Sequence, residues 1–160
     1  MNVKRSATYV LVAIVAFATG AYAGYRWLLY PRLWMGAVGQ EHMLSDYALL
    51  EYREGSYPDA AKALETYIKY LNGVQPSASS WHFGESPWLD ARLLRDEKTL
   101  AWCRLAMLHE RNGNGGAASQ AWQHAEALAR EGTWRDPSRN HLRAVVSRLD
   151  ASHETTTASK

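Results

Sequence analysis

Residues 44–71 read LSDYALLEYREGSYPDAAKALETYIKYL, and the spacing of their apolar side chains decides the fold. Leu44, Tyr47, Ala48 and Tyr52 recur every three or four positions, as one side of a helix requires, and the run stops at Gly55. Glycine suits the left-handed conformation that follows many helix ends. After Ser56 the helical spacing resumes. Pro58 and Asp59 suit a first turn, and Ala60, Leu64, Tyr67, Ile68 and Leu71 form the buried stripe. Two amphipathic runs with a short break between them predict a helical hairpin over 40–54 and 57–71.

The same spacing continues toward the C-terminus, and no two-residue alternation marks a strand. Asn72-Gly73 closes the second helix. The stretch 72–90 is rich in turn formers, with Pro76, Ser77, Ser79, Ser80, Gly84 and Pro87, and reads as a loop. Its rings, Trp81, His82, Phe83 and Trp88, either pack back on the hairpins or form a contact patch for a partner or a membrane surface. A third helix is predicted over 93–111, ended by Asn112-Gly113-Asn114-Gly115-Gly116, and a fourth over 117–130. The last, over 137–150, carries Leu142, Val145, Val146 and Leu149 on one face. Arg135, Arg139 and Arg143 lie along another, read as a solvated face. The body over 40–150 is therefore all-α with about five helices, followed by a polar, flexible tail over 151–160.

Toward the N-terminus the character changes. The chain has 160 residues and a net charge of +2. Residues 1–34 hold Lys4, Arg5, Arg26 and Arg32 with no acid, whereas the rest is slightly acidic. After a short basic tail over 1–8, residues 9–30 contain one charge. As a helix they span roughly 33 Å, which matches a bilayer core of about 30 Å, so a transmembrane helix is expected there. The alternative to this anchor is a signal peptide cleaved after Ala23, with Lys4 and Arg5 as its charged start, an apolar core from Val10 and Ala21-Tyr22-Ala23 as the cleavage site. Tyr25, Trp27, Tyr30 and Trp34 are placed to form an interfacial belt, with 31–39 as the interfacial linker. Within the span Ala16, Gly20 and Gly24 share one helix face, where small residues let a second membrane helix approach. The signal-like beginning orients the anchor with its N-terminus inside and its body outside the cytoplasm, in the periplasm for a bacterial inner membrane.

Aligned on Gly55 and Gly113, the two hairpins share a pattern. Trp102-x2-Leu105-Ala106-x2-His109, Gly113, then Ala118-x3-Trp122 and Ala125 matches Leu44-x2-Tyr47-Ala48-x2-Glu51, Gly55, then Ala60-x3-Leu64 in its offsets. This resembles the tetratricopeptide repeat, W-x2-L-G-x2-Y followed by A-x3-F. Ala48, Ala60, Ala106 and Ala118 are the small residues that let paired helices approach. Glu51 and His109 replace a usual tyrosine, the terminal proline is missing, and the repeats stand 58 residues apart. The resemblance implies a non-catalytic scaffold whose first helices line a concave face for another polypeptide. Carried onto matching positions, that face holds Leu49, Tyr52, Arg53, Cys103, Met107, Glu110 and Arg111.

The chemistry-bearing signals are few. No P-loop, GxGxxG, HExxH or GxSxG motif occurs. The six histidines form no i, i+4 pair, and Cys103 is the only cysteine, so no disulfide and no cysteine-rich metal site is expected. The charge balance argues against nucleic-acid binding. The sequence thus predicts no catalytic residue, no cofactor and no metal. Two functions fit: a membrane-anchored adaptor or scaffold that binds other proteins, or a stoichiometric single-pass accessory subunit of a larger membrane complex.

Overall fold

The structure, a computed structural model, describes residues 3–25, 29–76, 86 and 89–157. Among the described residues the fold is all-α, with six helices and no strand. These are α1 (Val3–Gly24), α2 (Tyr30–Glu54), α3 (Tyr57–Gly73), α4 (Ala91–Arg111), α5 (Gly115–Glu131) and α6 (Arg139–Thr157). Most helix starts have a visible chemical cause. Pro31 opens α2 and Pro58 opens α3, where a missing N–H costs nothing. The Asp90 carboxylate accepts the backbone N–H groups of Arg92 at 2.9 Å and Leu93 at 2.8 Å, which caps α4. Asn114 caps α5 by accepting from the Ala117 N–H at 3.3 Å.

Several boundaries differ from expectation: α1 starts at Val3, inside the expected basic tail over 1–8, and ends at Gly24, short of residue 30. The first body helix begins at Tyr30 rather than at residue 40, so the stretch expected as a linker over 31–39 is helical. The last continues to Thr157, through most of the expected tail. The Trp81, His82, Phe83 and Trp88 ring cluster lies outside the described residues.

The two aligned glycines end their helices differently. Gly113 has φ +74°, the left-handed conformation that disfavours a side chain. Gly55 is extended, with φ −76°, so the left-handed expectation fails there. What excludes a side chain at Gly55 is space: a Cβ would lie 2.6 Å from the Glu51 carbonyl oxygen.

The body stacks as α2 on α3, α3 on α4 and α4 on α5, with α6 laid across α4. All four predicted small residues, Ala48, Ala60, Ala106 and Ala118, are buried. Close approach through alanine leaves room for large neighbours, and Leu64, Leu71, Trp122, Leu142 and Val146 are fully enclosed. The arginine stripe of α6 is not a purely solvated face. Arg139 and Arg143 hold their guanidinium carbons 5.5 Å from the Trp122 ring centroid, Arg143 pairs with Glu110 at 2.7 Å, and Arg139 pairs with Glu126 at 3.5 Å.

Among the described residues no helix packs substantially against α1. Ile14, Val15, Phe17 and Tyr22 are all more than half exposed. Among the described residues no helix is long and apolar enough to cross a membrane. The side chains of residues 3–12, and residues 26–28 entirely, lie outside those described, so much of the expected 9–30 span falls there.

Candidate functional site

A hollow of about 320 Å³ opens between the C-terminal ends of α2 and α4 and the middle of α6. Helices α2 and α4 are separated in sequence by the whole of α3 and the following segment, and packing on α3 brings their last turns together. The hollow is lined by Tyr52 and Arg53 from α2, Met107 and Arg111 from α4, and Ser147, Asp150 and Ala151 from α6. Four of the seven residues predicted for a concave face thus meet at one place. A second hollow of about 260 Å³ carries the groove past Tyr52, Arg53 and Arg111 to Gly55 and Tyr57.

Local contacts fix the shape of this groove. The Arg111 guanidinium lies over the Tyr52 ring, 4.5 Å from its centroid, and an N–H donates to the Tyr52 hydroxyl. Burial raises the Tyr52 pKa, with Arg111 opposing the rise, so the phenol keeps its proton. Asp150 accepts two hydrogen bonds from the largely buried Arg104, at 3.2 Å from Nε and 2.9 Å from Nη2. That paired contact pins the middle of α6 to α4. Arg53 and Arg111 are exposed and form no ion pair among the described residues, so the rim is cationic beside an apolar floor of Met107. The hollow offers charge, apolar contact and hydrogen bonding, and among its described lining residues no nucleophile is paired with a base.

The other three predicted residues lie elsewhere. Cys103 is fully buried in the core, and burial pushes its thiol up to about 12, so it presents nothing to a partner. Glu110 faces α5 and α6, where it accepts from Trp122 Nε1 at 2.8 Å and from Arg143. Leu49 is half-buried outside the groove lining. Ser147, Asp150 and Ala151 were missed because the sequence shows α6 only as an amphipathic cap; its short side chains beside Val146 were the available sign.

At the N-terminus, Gly20 and Gly24 have open space where a Cβ would stand, and Ala16 is exposed. Tyr25 is exposed and Trp34 half-buried, whereas Trp27 and the Tyr30 side chain lie outside those described.

A second cluster of titratable groups lies between α2, α3 and α4. Ser86 is buried, donates to Glu41 Oε2 at 2.7 Å and accepts from the Leu89 N–H at 2.9 Å, which ties the segment before α4 to α2. Tyr67 donates to Glu97 at 3.4 Å. Desolvation raises the Glu97 pKa against the opposing pull of Arg104, and it raises that of Tyr67 as well. The space enclosed here is about 140 Å³, below the roughly 300 Å³ at which small-molecule sites begin. Every buried side-chain nitrogen and oxygen among the described residues has a hydrogen-bond partner. The cluster therefore accounts for itself as a polar clasp. Among the described residues no three His, Cys, Asp or Glu side chains are grouped to hold a metal ion. Comparison with protein-family models, with curated proteins and with solved structures finds no match for this chain.

Proposed function

We propose that this protein is a membrane-anchored, tetratricopeptide-like adaptor that holds a segment of another polypeptide in the groove between α2, α4 and α6. The observation that carries the reading is the meeting of Tyr52, Arg53, Met107 and Arg111 at one hollow. Repeated hairpins in tandem generate such a face without any catalytic chemistry. A cationic rim over an apolar floor suits a segment that combines acidic and apolar side chains. The anchor is supported by the charge-poor run over 9–30 and by the exposed apolar side chains Ile14, Val15, Phe17 and Tyr22 of α1. Leaving such a rod in water would cost about 25 cal/mol for each Å² exposed, and lipid or a neighbouring membrane helix removes that cost. The signal-like start places the body outside the cytoplasm, in the periplasm if the membrane is a bacterial inner one.

The full chain, purified in mild detergent with its bound proteins, tests the groove by quantitative mass spectrometry. Reversing both rim charges, Arg53→Glu with Arg111→Glu, is expected to strip the partner, whereas Arg130→Glu on the exposed side of α5 leaves it in place. A partner that stays through both rim reversals removes the groove assignment. The same measurement separates adaptor from accessory subunit, since a subunit co-purifies in an integer, salt-resistant ratio. Alkaline carbonate extraction tests the anchor independently: release of the intact chain from the membrane pellet would sink it.

A further inference from the structure

α2 is apolar on two opposite faces, and among the described residues only one is covered. Leu44, Ala48 and Tyr52 turn inward with the core. On the opposite side Met43, Tyr47 and Leu50 are 65%, 49% and 51% exposed; Met35, 64% exposed, lies roughly 80° round the helix from Met43 and off this stripe. Gly36 and Gly39 interrupt that stripe, and a Cβ added at either would meet nothing within 4 Å. Large side chains at one half of the stripe and bare backbone at the other make it complementary to itself when reversed. We infer that a second copy of this chain docks on this face, the two α2 helices running antiparallel and crossing at Met43.

Reversal about Met43 sets Leu50 of one copy over Gly36 of the other and Tyr47 over Gly39, so each large side chain enters a gap. It also sets Arg32 against Glu54 at both ends. Both are exposed, and neither forms an ion pair among the described residues. A parallel pair would instead oppose Arg32 to Arg32, Asp46 to Asp46 and Glu54 to Glu54, which charge repulsion disfavours. The antiparallel arrangement is isologous and closes at two copies. It rests on neither the groove nor the anchor, although a shared membrane would strengthen it by raising the effective concentration.

Single cysteines in the full chain test it, read by a short thiol crosslinker on the purified protein. Buried Cys103, with its raised pKa, supplies little background. Met43→Cys lies on the two-fold axis and is expected to link to itself. Gly36→Cys and Leu50→Cys are each expected to stay unlinked alone, but to give a crossed dimer when mixed. Arg32→Glu is expected to weaken dimerisation about tenfold in Kd by analytical ultracentrifugation, and adding Glu54→Arg to restore it. The inference is overturned if Met43→Cys fails to link to itself or links to a different polypeptide. It is equally overturned if Gly36→Cys and Leu50→Cys each self-link, which would mean a parallel pair, or if the double charge swap fails to rescue Arg32→Glu.

Discussion

α2 and α4 each open a hairpin with the same small-residue spacing, yet they end in opposite circumstances. α4 is covered by α3, α5 and α6, so the polar side chains it turns outward find partners: Arg104 holds Asp150, and Glu110 holds Arg143 and Trp122. Among the described residues α2 packs substantially only on α3, and its outward face keeps Met43, Tyr47 and Leu50 exposed. The shared pattern therefore encodes only the contact inside a hairpin. What covers the outer face is written separately, in charge at α4 and in uncovered apolar area at α2.

The strongest test of that contrast removes one enclosed side chain from each hairpin. Trp122→Ala empties a fully buried site and also withdraws the donor to Glu110, at a cost of about 3–5 kcal/mol. Leu64→Ala at the aligned position of α3 costs about 2–5 kcal/mol. Urea unfolding of both variants should place Trp122→Ala lower, because the rings and guanidinium groups of α5 and α6 lose their shared support. Equal midpoints would mean that the second hairpin gains nothing from α6.

Next in size, Arg104→Ala leaves Asp150 without its main partner at the edge of the core, for about 3 kcal/mol. The i, i+4 pair of Arg130 with Glu126 is exposed at its arginine, and Arg130→Ala should shift stability by only about 0.3–0.5 kcal/mol. Denaturation midpoints that rank these two the other way would show that α6 is not held to α4 through Asp150.

The hairpins were legible because helical periodicity and alanine spacing are local properties of the chain, and the sequence places all four alanines correctly. The groove was legible at Tyr52, Arg53, Met107 and Arg111 because repeat geometry projects equivalent positions to one side. Cys103 and Glu110 failed because a linear pattern does not say which neighbour a side chain meets: one is enclosed by the core, and the other is claimed by α5 and α6. The stacking of Arg139 and Arg143 on Trp122 was hidden for the same reason, since a cation stacked on tryptophan and a cation in water occupy the same helical register.

The two turn glycines sharpen the comparison on a smaller scale. Gly113→Ala forces an alanine into the left-handed region, at about 1–2 kcal/mol. Gly55→Ala has an allowed backbone but brings a Cβ against the Glu51 carbonyl, so the chain must shift at a cost of about 1–3 kcal/mol. d-Alanine at each position separates the two causes. At Gly113 it should restore stability, because the mirror-image residue accepts a positive φ, and at Gly55 it should not. Rescue at both would make conformation the common reason.

The smallest expected effect concerns Glu97, where burial lifts the carboxyl pKa while Arg104 and the Tyr67 hydroxyl draw it back. A carboxyl whose pKa is raised on folding binds its proton more tightly in the folded chain. Its contribution is complete below the unfolded value of 4.5 and is lost as pH rises through the folded one. Glu97→Gln removes that titration while keeping an oxygen for Tyr67 to donate to. As pH rises from about 4, the wild-type chain should therefore lose stability relative to the variant, measured as a difference in urea midpoints. The relevant contact joins α3 to α4, so the effect should persist when Arg32→Glu is introduced on the outer face of α2. A difference that vanished with that substitution would tie the clasp to the outer face, and the independence of the two faces of α2 would fail.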